Sequence, residues 1–258
     1  MLDECQPLPN LNAHAYNESF FQWVDRSALR SAERVVPVVH RIISPRSVLD
    51  VGCGRGVWLT VWRAQNGVER VLGVDGASAE QLRAAAERDF ILNADLEAGF
   101  SVGARFDLVQ CLEVAEHLSP KAAALLVESL ALHSDVILFS AARPGDGGEH
   151  HINEQEPEYW RDLFGVYGLR LYDTIRPRIA WDTIIDPWYR YNTFIFTKPE
   201  IAARLNFAAD AVMAPQRVRN YESVFWYAQR MIVRHLPVNV VTRLAQLKCS
   251  LMNRVSRP

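Results

Sequence analysis

The stretch SVLDVGCGRGVWL, residues 47–59, decides how this chain is read. A short apolar run ends in an acid, Asp50, and gives way to Gly52, Gly54 and Gly56 with Cys53 between them. Backbone this bare turns tightly and lets a ligand lie against it. In an open parallel sheet such a loop sits at the carboxyl ends of the strands, where ligands collect. The spacing is GxGxG, not the GxGxxG that cradles a pyrophosphate at a helix N-terminus. Asp50 would repel a pyrophosphate, yet it can accept hydrogen bonds through water from an ammonium group, so a cationic ligand is favoured.

Outward from this loop the pattern alternates. After strand VLDVG come a helix around residues 57–65, strand VERVLGVD, helix SAEQLRAAAERD and the short strand FILNAD. Strand FDLVQCLEV, helix SPKAAALLVESLALHS and strand DVILFSAA follow. Strands alternating with helices imply parallel pairing, with right-handed crossovers that put helices on both faces. Helix EPEYWRDLFGVYG, strand LRLYDTI, the segment RPRIAWDTIIDPWYRYN and strand TFIFTK complete the pattern. The last two strands are joined without a clear helical period, which predicts an antiparallel final strand. The fold class expected is α/β, a doubly wound seven-stranded sheet, mostly parallel. Upstream, apolar residues at 20, 21, 24, 29, 35, 36, 39 and 42 predict one or two helices. The chain divides into a helical lead-in (1–46), a ligand-binding domain (47–198) and a helical extension (199–258).

Asp75 ends the second strand, where its carboxylate can accept from both hydroxyls of a ribose. Together these residues resemble the class I S-adenosylmethionine-dependent methyltransferases, which have a Rossmann-like fold. The likeness runs through VLDVGCGRG, GVDGA, NADLE and FDLVQCLEVAEHL, and extends over about residues 48–198. It implies S-adenosylmethionine as cofactor, with S-adenosylhomocysteine as product. The implied cofactor residues are Asp50, Gly52, Cys53, Gly54, Gly56, Asp75, Gly76, Asp95, Leu96 and Cys111, with Asp95 near the adenine amino group. Cys53 and Cys111 read as small packing residues beside the cofactor, and Glu113 as either a pocket residue or a loop acid.

Methyl transfer from a sulfonium asks the protein chiefly to align the acceptor and exclude water. A base is needed when the acceptor is a protonated alcohol. The candidates at strand ends are His151, then His117, with Glu113 and Glu116 nearby; His117 also reads as a residue that orders the helix start. Glu149, His150, Arg178, Trp181, Asp182, Trp188 and Tyr189 are the candidate substrate residues, the last five in a segment expected to roof the site. Aromatic faces mixed with polar groups suit a sugar ring. GGEHHINEQEPEYW and DPWYRYN are similar to methyltransferases of bacterial polysaccharide and glycoside tailoring, which implies O-methylation of a saccharide hydroxyl. N- or C-methylation of a natural-product intermediate, or a cofactor-binding scaffold without turnover, are the alternatives. No defined ligand set such as HExxH is present, so no metal is expected.

With 49% apolar residues over 258 positions the chain can build a sizeable core. Its net charge of −2 conceals a basic tail: Arg217, Arg219, Arg230, Arg234, Arg243, Lys248, Arg254 and Arg257 stand against Glu222. That tail leaves an acidic body with no basic groove, which argues against nucleic acid. The last helix, with apolar residues at 240, 241, 244, 247, 251 and 255, can pack on its own domain, form a homodimer seam or lie on an anionic membrane surface. Cys5, Cys53, Cys111 and Cys249 lack CxxC spacing, and neither a leader nor a membrane-length apolar run is visible. A cytoplasmic protein acting on a small-molecule or glycan acceptor is the expectation.

Overall fold

The computed structural model describes residues 18–76 and 90–245, with side chains from residue 25 onward. The helix expected at 78–89, Cys5, Cys249 and the end of the basic tail lie outside the described residues.

Helix α1 (Glu18–Ile43) is a single helix. Ala28, Ala32, Val35, Val36 and Val39 recur on one face at helical spacing and are buried. Strand β1 (Ser47–Val51) runs into the glycine loop, and helix α2 (Val57–Arg63) leaves it. Strands β2 (Arg70–Asp75), β3 (Ile91–Asn93), β4 (Leu108–Leu112) and β5 (Val136–Ser140) follow, with helix α3 (Ala122–His133) between the last two. Helix α4 (Pro157–Gly165) leads to β6 (Arg170–Tyr172), and β7 (Phe194–Thr197) closes the sheet.

The strand order is β3-β2-β1-β4-β5-β7-β6. All pairs from β3 to β5 are parallel, while β7 runs antiparallel to both β5 and β6. The expected antiparallel last strand is present. The segment before it differs from expectation, because it carries two short helices, α5 (Arg176–Ile179) and α6 (Pro187–Asn192), each opened by a proline in its first turn. Four to six residues carry no legible helical period, which is why the sequence reads there as irregular.

Both faces of the sheet are covered, so its central strands are apolar throughout. Successive side chains feed opposite layers: Val48, Leu108, Leu138 and Ile195 join one core, and Leu49, Val109, Phe139 and Phe196 the other. The order reverses between β1 and β4, which opens the crevice in which the glycine loop stands.

Beyond the sheet, α7 (Pro199–Arg204) and α8 (Val224–Val233) are followed by helical residues 238–245. The inner side of α8 is tied to the body by a buried charge network. The Glu222 carboxylate, wholly buried, accepts from Arg143 Nη2 and Arg230 Nε, each at 2.8 Å. Arg230 also donates to the Pro144 carbonyl at 3.2 Å. Its outer side leaves Val224, Phe225 and Ile232 exposed. No helix among the described residues is long and apolar enough to cross a membrane.

Candidate active site

A cavity of about 430 Å³ opens at the carboxyl ends of β1 and β4. One half is built by the glycine loop. Gly52 has φ +74°, and its N–H donates to the Val74 carbonyl at 2.7 Å. A Cβ there would stand 2.2 Å from a Val114 methyl, so only glycine fits. Gly54, by contrast, faces open space, and its N–H donates to Asp75 Oδ2 at 2.6 Å. Asp75 thus draws the loop toward the end of β2.

Asp50 is 3% exposed and lines this half. Its Oδ1 accepts from Gln110 Nε2 at 3.0 Å, and Gln110 is itself fixed by Trp62 Nε1 at 2.9 Å. Oδ2 has no hydrogen-bond partner among the described residues. Burial, against the Gln110 hydrogen bond and with help from Asp75, pushes the carboxyl up to about 7. Arg55 and Asp25, paired at 3.2 Å, join the glycine loop to α1 and line the same wall.

Not all the expected cofactor residues face the cavity. Gly52, Cys53 and Gly54 line it with Asp50. Gly56 caps α2, and Asp75, Gly76, Asp95 and Leu96 form a rim at the ends of β2 and β3. Asp95 accepts from the Glu97 N–H at 2.9 Å, and Leu96 is buried. Cys111 is a residue of β4 and its side chain lies wholly inside the core. Burial raises both the Cys53 and Cys111 thiols well above their usual range, so they are packing groups rather than nucleophiles.

The other half comes from the loops after β4 and β5. Glu113 holds a left-handed backbone at φ +57°, and Glu116 sits in a short turn of 3-10 helix, Ala115–His117, with its side chain completely buried. Among the described residues, both Glu116 carboxylate oxygens and Oε1 of Glu113 lack a well-formed hydrogen-bond partner. Burial first, then Asp146, lifts Glu113 to about 7, with Ser140 and His151 pulling the other way. Burial, then the charge of Glu113, lifts Glu116 well beyond the usual carboxylate range.

The β5 loop is pinned beneath these acids. The Ile152 and Asn153 N–H groups donate to the Glu116 carbonyl at 2.9 and 3.0 Å. That contact sets His151 edge-on against His117, ring centroids 4.8 Å apart. His117 lines the cavity and is solvent-exposed, yet the atoms crowded around its ring, then His151, lower its pKa to about 4. His151 Nδ1 stands 3.0 Å from Glu154 Oε1. A carboxylate can only accept, so Nδ1 carries the proton and the neutral ring keeps its lone pair on Nε2. Burial works against ionising Glu154, but His151 and the N–H groups of Gly145 and Gly147 outweigh it and hold the carboxyl below its usual value. Gly148 lies so close that a Cβ would stand 2.1 Å from His151 Nε2.

Glu149, Trp188 and Tyr189 line the cavity as well, with Trp58 packed edge-to-face on Tyr189 at 5.0 Å. The remaining substrate candidates do not. His150 points outward beside Glu149 at 3.8 Å. Arg178 bends back onto Thr174, Asp182 accepts from the Ile184 N–H and approaches Arg34, and Trp181 is 73% exposed. The reason is geometric: α5 turns its side chains toward its own preceding loop, and only α6 reaches the cavity. α6 is set there by Asp186, whose carboxylate accepts from Ser27 and Ser31 of α1 at 2.5 and 3.1 Å.

Several lining residues had no sequence signal. Asp25 and Ala28 come from α1, Trp226 and Gln229 from α8, and Ala245 from the last described helix. Glu154 is reached through the EHHINEQ stretch, where an acid three residues after a histidine was the only hint.

Residues 20–172 match a family described as a methyltransferase domain. No curated protein is a match for the chain. Among solved structures, the sugar N-methyltransferase KedS8 from Streptoalloteichus is 19% identical, with a TM-score of 0.54 over 77% of this chain and 98% of its own. CalS10 from Micromonospora echinaspora, an amino pentose methyltransferase solved with S-adenosylmethionine bound, is 17% identical, with a TM-score of 0.52 over 71% and 98%. The plantazolicin methyltransferase BpumL, solved with S-adenosylhomocysteine, is 11% identical, with a TM-score of 0.50 over 70% and 87%.

Proposed function

The chain belongs to the methyltransferase-domain family, an S-adenosylmethionine-dependent enzyme, and on that premise we propose that it methylates a hydroxyl oxygen of a saccharide or similar polyhydroxylated small molecule. The observation that carries this reading is the clustering of Glu113, Glu116, His117 and His151 on the wall facing the glycine loop. Proton-accepting groups there serve an alcohol, which is a poor nucleophile until its proton is removed.

The cavity fits the cofactor. Gly54 leaves room against its backbone, and the partnerless Asp50 Oδ2 is a buried acceptor suited to an ammonium group. An acidic rather than basic lining is the opposite of what a pyrophosphate needs. S-adenosylmethionine supplies an activated methyl group, so transfer requires a lone pair held in line with the departing sulfur. Asp50, Gly52 and Gly54 bind the cofactor's amino-acid end, and Asp75 at the rim takes the ribose hydroxyls. Trp58, Trp188, Tyr189 and Trp226 offer aromatic faces to a ring-shaped acceptor. His151, oriented by Glu154, and Glu113, with its pKa near neutrality, are the groups that can take the hydroxyl proton. His117, kept neutral by the crowding around its ring, orders the wall beside them.

A second reading, an amino-sugar acceptor methylated on nitrogen, is favoured by the same buried carboxylates, which would hold an ammonium group. Incubation with methyl-labelled S-adenosylmethionine and paired acceptors, a sugar and its amino counterpart, separates them. Label on oxygen is the expected result; label found only on nitrogen would establish the second reading in its place.

A further inference from the structure

We propose that Glu116, His117 and His151 form a binding site for one first-row divalent cation of the zinc class. All three residues line the cavity, each offers one ligand atom, and these atoms lie within 4.8 Å of one another. Ligands at about 2.0–2.2 Å from an ion stand about 3.4 Å apart in a tetrahedral set, so side-chain movements of about 1 Å would close this one. Two imidazoles and one carboxylate are a zinc-type donor set, and three protein ligands leave a coordination position open for an exchangeable group.

Two further observations point to an ion. The first is that Glu116 is 0% exposed and that neither of its carboxylate oxygens meets a well-placed hydrogen-bond donor among the described residues, although Glu113 and the backbone at Ala142 stand close to it. Buried polar atoms are nearly always satisfied, and leaving a carboxylate without donors is costly. The second is the support behind His151. Its Nδ1–H is committed to Glu154, which is itself held by Gly145 and Gly147 N–H groups at 2.8 and 3.0 Å. A carboxylate behind the distal nitrogen fixes the tautomer that presents Nε2 as a ligand, the usual outer arrangement of a metal-binding histidine.

The open position would face the acceptor half of the cavity, where an ion would bind the acceptor's hydroxyl oxygen and ease loss of its proton. That last step rests on the methyltransferase reading, and with Nε2 engaged it assigns the proton to Glu113 rather than His151; the cation site itself does not depend on it.

The test uses the untagged full-length protein, stripped with a chelator, dialysed, and titrated with Zn²⁺ alone, then with Co²⁺ as a spectroscopic reporter. One equivalent should bind, with visible Co²⁺ bands of a low-coordinate nitrogen–oxygen site. Glu116→Gln and His151→Gln should each weaken binding at least a hundredfold, and Glu154→Gln by about 10- to 100-fold. His40→Gln, on α1 outside the cluster, should leave it unchanged. The melting shift given by S-adenosylhomocysteine, taken on the same samples, reports that each variant is folded and its cofactor half intact. No stoichiometric uptake, or uptake that survives both ligand variants, overturns the site. Uptake without a S-adenosylhomocysteine shift would support the cation site while undoing the cofactor assignment; a shift without uptake would do the reverse.

Discussion

The two halves of the cavity are built in different ways. The half proposed for the cofactor is local: Asp50, Gly52, Cys53 and Gly54 are near neighbours in sequence, positioned by the end of one strand and its pairing with the next. The acceptor half is assembled from distant parts, with Ala28, Trp58, His151, Tyr189 and Trp226 brought together by five separate elements or loops. A local site depends on backbone conformation, whereas an assembled one depends on the contacts that hold its pieces. The two halves should therefore fail separately.

The largest effect expected is on the assembled half. Glu222→Ala would remove the carboxylate 2.8 Å from both Arg143 and Arg230, 7% and 9% exposed at their side chains, and leave them only the longer contacts to Asp146 at 3.8 and 3.9 Å. Breaking a buried pair from one side costs about 3–5 kcal/mol. Thermal unfolding should show a loss of that order, with S-adenosylhomocysteine still raising the melting midpoint of the variant. A wild-type melting temperature would mean that α8 is not held as described.

Gly148→Ala sharpens the comparison at a single atom. The added methyl would collide with His151 Nε2 and displace the ring while leaving the glycine loop untouched. Turnover should fall about 100-fold, the usual scale for misplacing a group that acts on the acceptor, with S-adenosylhomocysteine affinity within about twofold of wild type. Equal losses in both would show the halves to be coupled.

The smallest effect belongs to the local half and appears as a pH dependence. A cationic ligand group favours the ionised form of Asp50, whose carboxyl titrates at about 7 in the free protein. Below that pH, binding must expel a proton, so affinity falls as pH falls. Calorimetric titration with S-adenosylhomocysteine should show about a tenfold weaker Kd at pH 6 than at pH 8, about 1.4 kcal/mol. Asp50→Asn should flatten the profile, and an unchanged slope in that variant would remove Asp50 from the ligand's amino group.

The same contrast explains what could be read in the sequence. The seven strands and their order of types are legible because each is a continuous apolar run between turn signals, and GxGxG marks the crevice by backbone chemistry alone. Trp188 and Trp181 stand in one aromatic-rich segment, yet one lines the cavity and the other is solvent-exposed. What separates them is the grip of Ser27 and Ser31 on Asp186, a contact across more than 150 residues that no local pattern encodes. Trp226 and Gln229 were invisible for the same reason: their place depends on a buried Arg–Glu–Arg network, not on the spacing of apolar residues.

The position of β7 between β5 and β6 carries one more consequence. The span matched to the family ends at residue 172, just as β6 ends, so the strand that joins β6 to the sheet lies beyond it. Trimming the protein to its matched span would strand β6, remove Trp188 and Trp226, and leave Arg143 with Asp146 as its remaining acidic partner. For anyone grafting or evolving this enzyme, the matched span ends before the cavity-lining residues do. New acceptors should be sought by diversifying residues 187–192 and 224–233, because those helices supply acceptor-side aromatic walls without carrying the glycine loop.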